Sequence, residues 1–522
     1  MATNSSSPKG AISTSHHLAT EAGAAALEAG GNAIDAALAA VVTLCVVYPN
    51  NVALGGDLTA IVRNPQGEIR FLNGTGEAPM NQTLDALRAA HGDQLPLRGI
   101  DTVTVPGGVC GWNSLHQAGA ALTWSDHFRA AIRHAEQGHP TARSVAAALV
   151  EERETLQKDP GLASVFFPEG SPLAEGAPLI QPALAETLKR LAANGSLEFY
   201  EGDVAQRWVA GLQKMGSKIT LDDLDAYQAY WDYPIEGAFR GHRVLTSPPN
   251  TSGFHLLRAL TAIDLAGQTA LGADPLGSGA GELAVAFKAG NAVRAAALAD
   301  PRFGGVSGAE LVAMKAPEHP VPGRPKPTGD TVGLSAVSAD GWAISLINSI
   351  YFGFGAAILE PDTGIIFQNR GTSFSLDPAS PNVFAPRKRP RHTLMPVMIL
   401  RETANASEVA WVPSAMGGSA QPQIHAQLLL RSLAGASPEE ATHAPRWVIE
   451  EPREDGTVVA TVEADVPQVT RDALAAAGFE LVLVPRWSED LGHSNLIRID
   501  PDGYAAASDP RSDGSAVVVG GS

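Results

Sequence analysis

The chain has 522 residues, 44% of them hydrophobic and 18% charged, the composition of a packed globular protein and not of a disordered one. A formal net charge of −18 argues against general affinity for nucleic acid or an anionic membrane surface. The two cysteines, Cys45 and Cys110, lie outside any C-x-x-C pattern, which argues against a disulfide scaffold or a cysteine-based metal centre.

Met1 to Lys9 is polar and serine-rich without the apolar core of a secretory signal, which gives the expectation of a cytoplasmic protein. The longest apolar run, Ala36 to Tyr48, is too short to span a bilayer and is predicted to be a buried helix. Alanine-rich helices are expected on both sides of Gly30-Gly31, in close contact because their side chains are small. Thr59–Val62 and Ile69–Leu72 are predicted to pair around Asn64-Pro65-Gln66-Gly67. A helical zone follows from Trp124 to Gln157. It carries His134, Glu136 and His139, but the two histidines are five apart and share no helical face well, so no metal is expected. Leu179 to Tyr230 reads as amphipathic helix, with a capped start at Ile219-Thr220-Leu221-Asp222-Asp223-Leu224.

Gly304 to Gly329, with five prolines from Pro317 to Pro327, reads as an exposed loop. Directly after it, Thr331 opens an apolar, β-prone run, and a second such run follows Asp340-Gly341, a dipeptide suited to a tight hairpin. A threonine at the mouth of a strand, behind a loop, fits one chemistry. If the Asp330–Thr331 bond is cut, Thr331 gains a free amine beside its hydroxyl, so nucleophile and base sit on one residue. From there the chain is strand-rich, at Leu334–Val337, Ala343–Asn348, Gly364–Phe367, Val397–Arg401 and Val409–Val412. Helices are expected near Ile424–Leu433 and Gln468–Ala477, and strands near Asn495–Ile499 and Gly503–Ala507. Sheets and helices in separate blocks indicate an α+β fold.

From about Gly10 to Gly514 the chain resembles the γ-glutamyltransferase family of N-terminal-nucleophile hydrolases. The resemblance rests on Gly30–Ala37, on Val47-Tyr48-Pro49 through Gly55-Gly56-Asp57, on Thr331 with its hairpin, on Met416-Gly417-Gly418-Ser419-Ala420, and on Ser508-Asp509-Pro510-Arg511 with Asp513-Gly514. It implies a four-layer αββα sandwich formed by residues 1–330 and 331–522 of one self-cleaving precursor, the two parts intertwined and without a cofactor. Further dimerisation stays open at this point. It also implies Thr331 as nucleophile, Gly417 and Gly418 as backbone donors to an oxyanion, and Ser349 as the hydroxyl bonded to the nucleophile, where the family has a threonine. His392 and Thr393 fall where the transferases carry a substrate-touching serine pair, and Tyr351 where they have an asparagine.

The residues that clamp a γ-glutamyl head differ. Thr75 stands at the position of the family's arginine and Ser373 near that of its acidic residue; Val332 and Gly333 replace a threonine and a histidine. An intact cleavage site without that clamp points to the same reaction on another acyl group, such as a small acidic amide of the oxamate type. Arg370 is the candidate cation for it. The run Arg387, Lys388, Arg389, Arg391 would ordinarily be a solvated face, and its functional reading is a positive field for an anionic substrate. Three readings follow: an amidohydrolase of a small acidic substrate, a glutathione hydrolase or γ-glutamyltransferase with a clamp from other residues, and a degenerate homologue that does not react. Water is the default acceptor, with transfer to an amine left open.

Overall fold

The computed structural model of the chain describes residues 8–265, 274–318, 331–403 and 407–520. Two antiparallel sheets stack on one another. The first has seven strands, in spatial order Ser515–Val519, Gly10–Thr14, Thr331–Ser338, Ala343–Ser349, Asp57–Arg63, Ile69–Gly74 and Tyr230–Asp232. The second has six, Gly503–Ser508, Ser494–Asp500, Ser407–Ala415, Val397–Glu402, His242–Thr246 and Ile235–Phe239. Residues before and after Thr331 contribute strands to both.

Period-two alternation assigns the faces. Ile61, Phe71 and Val337 of the first sheet meet Leu245, Met398 and Val412 of the second in the inner core. Leu334, Ala336, Ile344 and Leu346 point the other way, into a cluster with helices His17–Glu28 and Ala33–Val47. On the far side, helices Gly253–Leu265, Ala280–Ala297 and Gln421–Leu433 cover Val244, Val397 and Ile399. The order helix–sheet–sheet–helix is the expected α+β sandwich. Polar stitches tie the sheets together near Thr331: the Ser345 hydroxyl donates to the Pro413 carbonyl at 2.7 Å, and Asn495 Nδ2 to the Gly333 carbonyl at 2.7 Å.

The apolar helix Ala33–Val47 is buried at every position, and no helix among the described residues is long and apolar enough to cross a membrane. It packs closely on its neighbour because Gly23 lacks a side chain; a Cβ there would lie 2.9 Å from the Ala36 carbonyl oxygen. The hairpin at Asp340-Gly341 uses a positive φ at Gly341 alone (98°), with Gly341 N donating to the Ser338 carbonyl and Ser338 N to the Trp342 carbonyl.

Four expectations need correction. The helical zone from Trp124 to Gln157 is broken: Gly138 takes φ 83°, ends a helix at Gln137, and leads into the short strand His139–Pro140. The basic run is not a solvated face, since Lys388 is 2% and Arg389 1% exposed. Arg389 lies over the rings of Tyr227 and Tyr230 and pairs with Glu77 at 3.3 Å, while Lys388 donates to the Pro381 carbonyl. The small sheet Trp447–Ile449, Val459–Glu463 and Glu480–Val484 was not anticipated. Its strands are three to five residues long, with too few positions for alternation to register. The stretch from Gly304 is also not all exposed loop, because Gly308–Ala313 forms a short capped helix with Leu311 buried; residues 319–330, Asp330 among them, lie outside the described residues.

Candidate active site

Thr331 is the first residue of a central strand and only 1% exposed. Register places it directly opposite Ser349 on the neighbouring strand, and the two hydroxyls are 2.9 Å apart. The Ser349 oxygen also accepts from Tyr351 N at 2.9 Å. One hydroxyl thus joins the strand mouth to the turn that carries Tyr351.

Gly333 explains itself in the structure. A Cβ there would lie 2.8 Å from Ala415 N, so glycine lets the Thr331 strand press against the end of Ser407–Ala415. That strand runs straight into Met416-Gly417-Gly418, where Gly417 takes φ 149° and Gly418 φ 52°. A 3-10 turn, Gly418–Ala420, and the helix Gln421–Leu433 follow. Neither glycine N–H donates to a backbone carbonyl among the described residues. The pair thus stands just ahead of a helix N-terminus, which favours developing negative charge.

A cavity of about 650 Å³ opens beside this loop, lined among others by Gly417, Gly418, Tyr351, Ser373, Thr393 and Arg391. Tyr351 takes φ 79°, and the Arg370 guanidinium sits 3.6 Å from its ring centroid. Arg370 is itself buried and donates through Nη1 to the Thr393 hydroxyl at 3.2 Å. Asn369 fastens the Tyr351 turn, accepting from Phe352 N at 3.1 Å and donating from its own backbone N to the Ile350 carbonyl.

Thr331, Ser349 and Arg370 stand behind the cavity wall rather than in it, and so do Thr75 and His392. Thr75 is fully buried and its hydroxyl donates to Asn73 Oδ1 at 2.7 Å. His392 receives the Leu394 N–H at Nδ1, so its proton lies on Nε2 and is donated to Asp57 Oδ2 at 2.9 Å. Burial, reinforced by the nearby Arg370 charge, pulls the His392 imidazole down to about 4. In the structure it is a neutral brace to the start of the strand Asp57–Arg63. The spacing His134…His139 brings the rings to 6.0 Å, edge to face.

Sequence reasoning missed Arg294 and Glu451, an ion pair at the cavity. The one available signal for Arg294 was a charge inside the otherwise small and apolar run Ala292-Val293-Arg294-Ala295-Ala296-Ala297. Glu451 gave none. The C-terminal signature Ser508-Asp509-Pro510-Arg511 anchors a buried ion network. Asp509 bridges Arg446 (2.6 Å) and Arg511 (2.8 Å), Arg511 reaches Glu463 (2.6 Å), and all four are buried. Arg446 Nη1 in turn holds the Gly492 carbonyl at 2.7 Å, and Gly492 backs onto Gly417: a Cβ at Gly492 would sit 3.0 Å from the Gly417 Cα.

A threonine at a strand mouth, a double-glycine loop ahead of a helix and a two-sheet sandwich are the arrangement of an N-terminal-nucleophile hydrolase. The gamma-glutamyltranspeptidase profile matches residues 19–519, and the chain belongs to that family. It is similar to a glutathione hydrolase-like YwrD proenzyme of Bacillus subtilis (33% identity, 97% of each chain) and to an oxamate amidohydrolase proenzyme of Klebsiella pneumoniae (33%, 96% of this chain and 97% of that one). Among solved structures, a cephalosporin acylase from Bacillus halodurans superposes with a TM-score of 0.85 at 30% identity, over 98% of this chain and 96% of that one. The chain is accordingly an amide carbon–nitrogen hydrolase.

Proposed function

We propose that this chain cleaves itself before Thr331 and then hydrolyses the amide of a small acidic substrate, of which oxamate is the simplest example. The Thr331 hydroxyl attacks the amide carbonyl, and its proton passes by way of the Thr331 amine to the leaving nitrogen. The oxyanion is met by the Gly417 and Gly418 N–H groups. The amine leaves, and water opens the resulting threonyl ester to give the carboxylic acid and the free hydroxyl. Self-cleavage uses the same hydroxyl against the Asp330 carbonyl.

The observation that carries this reading is the Thr331–Ser349 hydroxyl pair at 2.9 Å, in a strand pressed against the one that ends in Gly417-Gly418. Support for an acidic acyl group comes from Arg391 in the cavity wall and Arg370 beneath Tyr351, with uncharged residues at Thr75 and Ser373. A second reading, glutathione hydrolase, is favoured by Glu450, Glu454 and Glu489 in the same cavity, carboxylates that suit the ammonium of a γ-glutamyl group.

The test compares hydrolysis of oxamate and a γ-glutamyl anilide, with Thr331→Ala as blank. Turnover of oxamate alone is the expected result. Turnover of the anilide alone overturns the substrate assignment in favour of glutathione hydrolase. Turnover of neither, with a single uncut chain of 54.2 kDa, favours a degenerate homologue.

A further inference from the structure

Arg294 lies on the helix Ala280–Ala297, 6% exposed, and reaches the cavity wall, where its Nη2 meets a carboxylate oxygen of Glu451. Three features set this ion pair apart from a structural clasp. First, it is lopsided: the Arg294 side chain is 7% exposed and that of Glu451 is 22%, so the acid faces the cavity and the cation lies behind it. Second, Arg294 Nε has no partner among the described residues, so one buried donor of the planar guanidinium fork stays unused. A carboxylate binds such a fork best through two parallel N–H donors. Third, the wall carrying Glu451 is fastened without it. Gln423 donates from Nε2 to the Ile449 carbonyl and accepts the Ile449 N–H at Oε1, both at 2.8 Å, and Glu450 N donates to the Val459 carbonyl. Asn291, one turn before Arg294, adds a 3.3 Å bond to the same Ile449 carbonyl.

Two further guanidinium groups act on Arg294 itself, although Glu450, Glu454, Glu489 and Asp490 also line the cavity. Arg391 and Arg370 both act repulsively on Arg294, whose guanidinium is drawn down to about 10, chiefly by burial and then by these neighbours. A cation so placed gains from a second negative charge, and a small anion entering the cavity brings one to the wall that also carries Tyr351, Thr393 and the Gly417-Gly418 pair.

We propose that Arg294 is the seat for a carboxylate of the substrate, and that Glu451 occupies this seat until the substrate displaces it. This deepens the reading of an acidic-amide hydrolase and rests on it. The substrate class becomes the monoamide of a short dicarboxylic acid, its free carboxylate on Arg294 and its amide carbonyl toward the glycine pair. Glu451 keeps the buried guanidinium neutralised in the empty enzyme and competes with substrate. Neutral amides gain nothing from the seat and do not displace Glu451.

The test is calorimetric titration of the self-cleaved full chain with oxalate, succinate and glutarate, non-hydrolysable anions of the proposed class. The wild type is expected to bind at least one. Arg294→Met is expected to weaken that binding by roughly tenfold to a hundredfold, the range for losing a charge-assisted hydrogen bond. Glu451→Gln removes the competitor and is expected to tighten it. Arg294→Lys keeps the charge without the fork and guards against a fold defect in the methionine variant; it is expected to fall between. Wild-type affinity in Arg294→Met, no tightening in Glu451→Gln, or no binding by the wild type each overturns the seat. A purely structural pair would lower the Tm of both variants and leave dicarboxylate affinity unchanged, which also overturns it. The two readings fail separately. Arg294-dependent dicarboxylate binding without oxamate turnover keeps the seat and rejects oxamate, whereas oxamate turnover unaffected in Arg294→Met keeps the reaction and rejects the seat.

Discussion

Ser349 holds two partners on one oxygen, the Thr331 hydroxyl and the Tyr351 amide, each at 2.9 Å. Ser349→Ala leaves both buried groups short of a partner, a loss of about 1–3 kcal/mol. The expected outcome is a fall in kcat of roughly tenfold to a hundredfold, read by steady-state kinetics on fully cleaved protein, with Ser349→Thr retaining most of the activity. Tyr351 shows a local conflict resolved by its surroundings. A bulky residue at φ 79° costs roughly 1–2 kcal/mol, and the Arg370 guanidinium stacked on its ring offsets part of that. The asparagine that transferases carry at this position tolerates such an angle more easily. What the residue scale hides from sequence is pairing. Nothing in His392 or Asp57 alone announces their 2.9 Å bond across 335 positions.

The Gly417-Gly418 loop separates two demands on glycine. At Gly418 a Cβ would meet nothing within 4 Å, and φ of 52° is one that other residues can visit at a cost. At Gly417, φ of 149° joins a 2.6 Å clash with Ile424 Cδ1. Gly417→Ala is therefore expected to turn the donor amides away and cut kcat by about 10²–10³-fold, the loss typical for an oxyanion donor. Gly418→Ala should keep considerably more activity, with both variants measured for kcat and Tm. At this scale the sequence was most legible where period-two alternation ran long. The pairs around Asn64–Gly67 and Asp340-Gly341 fell where turn chemistry placed them. It was least legible where the chain bends, as at Gly138, or where a strand is three residues long, as at Trp447–Ile449. The pairing of Thr331 with Ser349 was expected from the resemblance alone, and the register of the hairpin sets the two opposite each other. The approach of a second sheet, allowed by Gly333, depends on residues about 80 positions away and could be had only through resemblance.

Over the whole molecule, each sheet combines strands from before and after Thr331, so a cut there separates no core. The fragments are expected to co-purify and to unfold in one transition. Buried ion pairing makes the C-terminal signature a stability determinant: Asp509→Asn leaves Arg446 and Arg511 facing each other without their shared carboxylate. A loss of about 3–5 kcal/mol is expected, measured by chemical denaturation. Acid acts in the same direction through histidines buried in the neutral form. Burial lowers His392 and His493 to about 4, and His255 and His425 to about 3, from an ordinary value near 6.5. Below 6.5 the unfolded chain takes up protons that the folded one refuses. Stability is thus complete above pH 6.5 and falls as the pH drops toward 4 and 3, which a Tm series across that range checks. The most direct test of the account is the intact mass and N-terminal sequence of the active, purified chain. Two fragments, the second beginning at Thr331, are predicted, with Thr331→Ala remaining a single inactive chain of 54.2 kDa. An uncut wild type that still hydrolyses amides, or a second fragment beginning elsewhere, would contradict the assignment of Thr331.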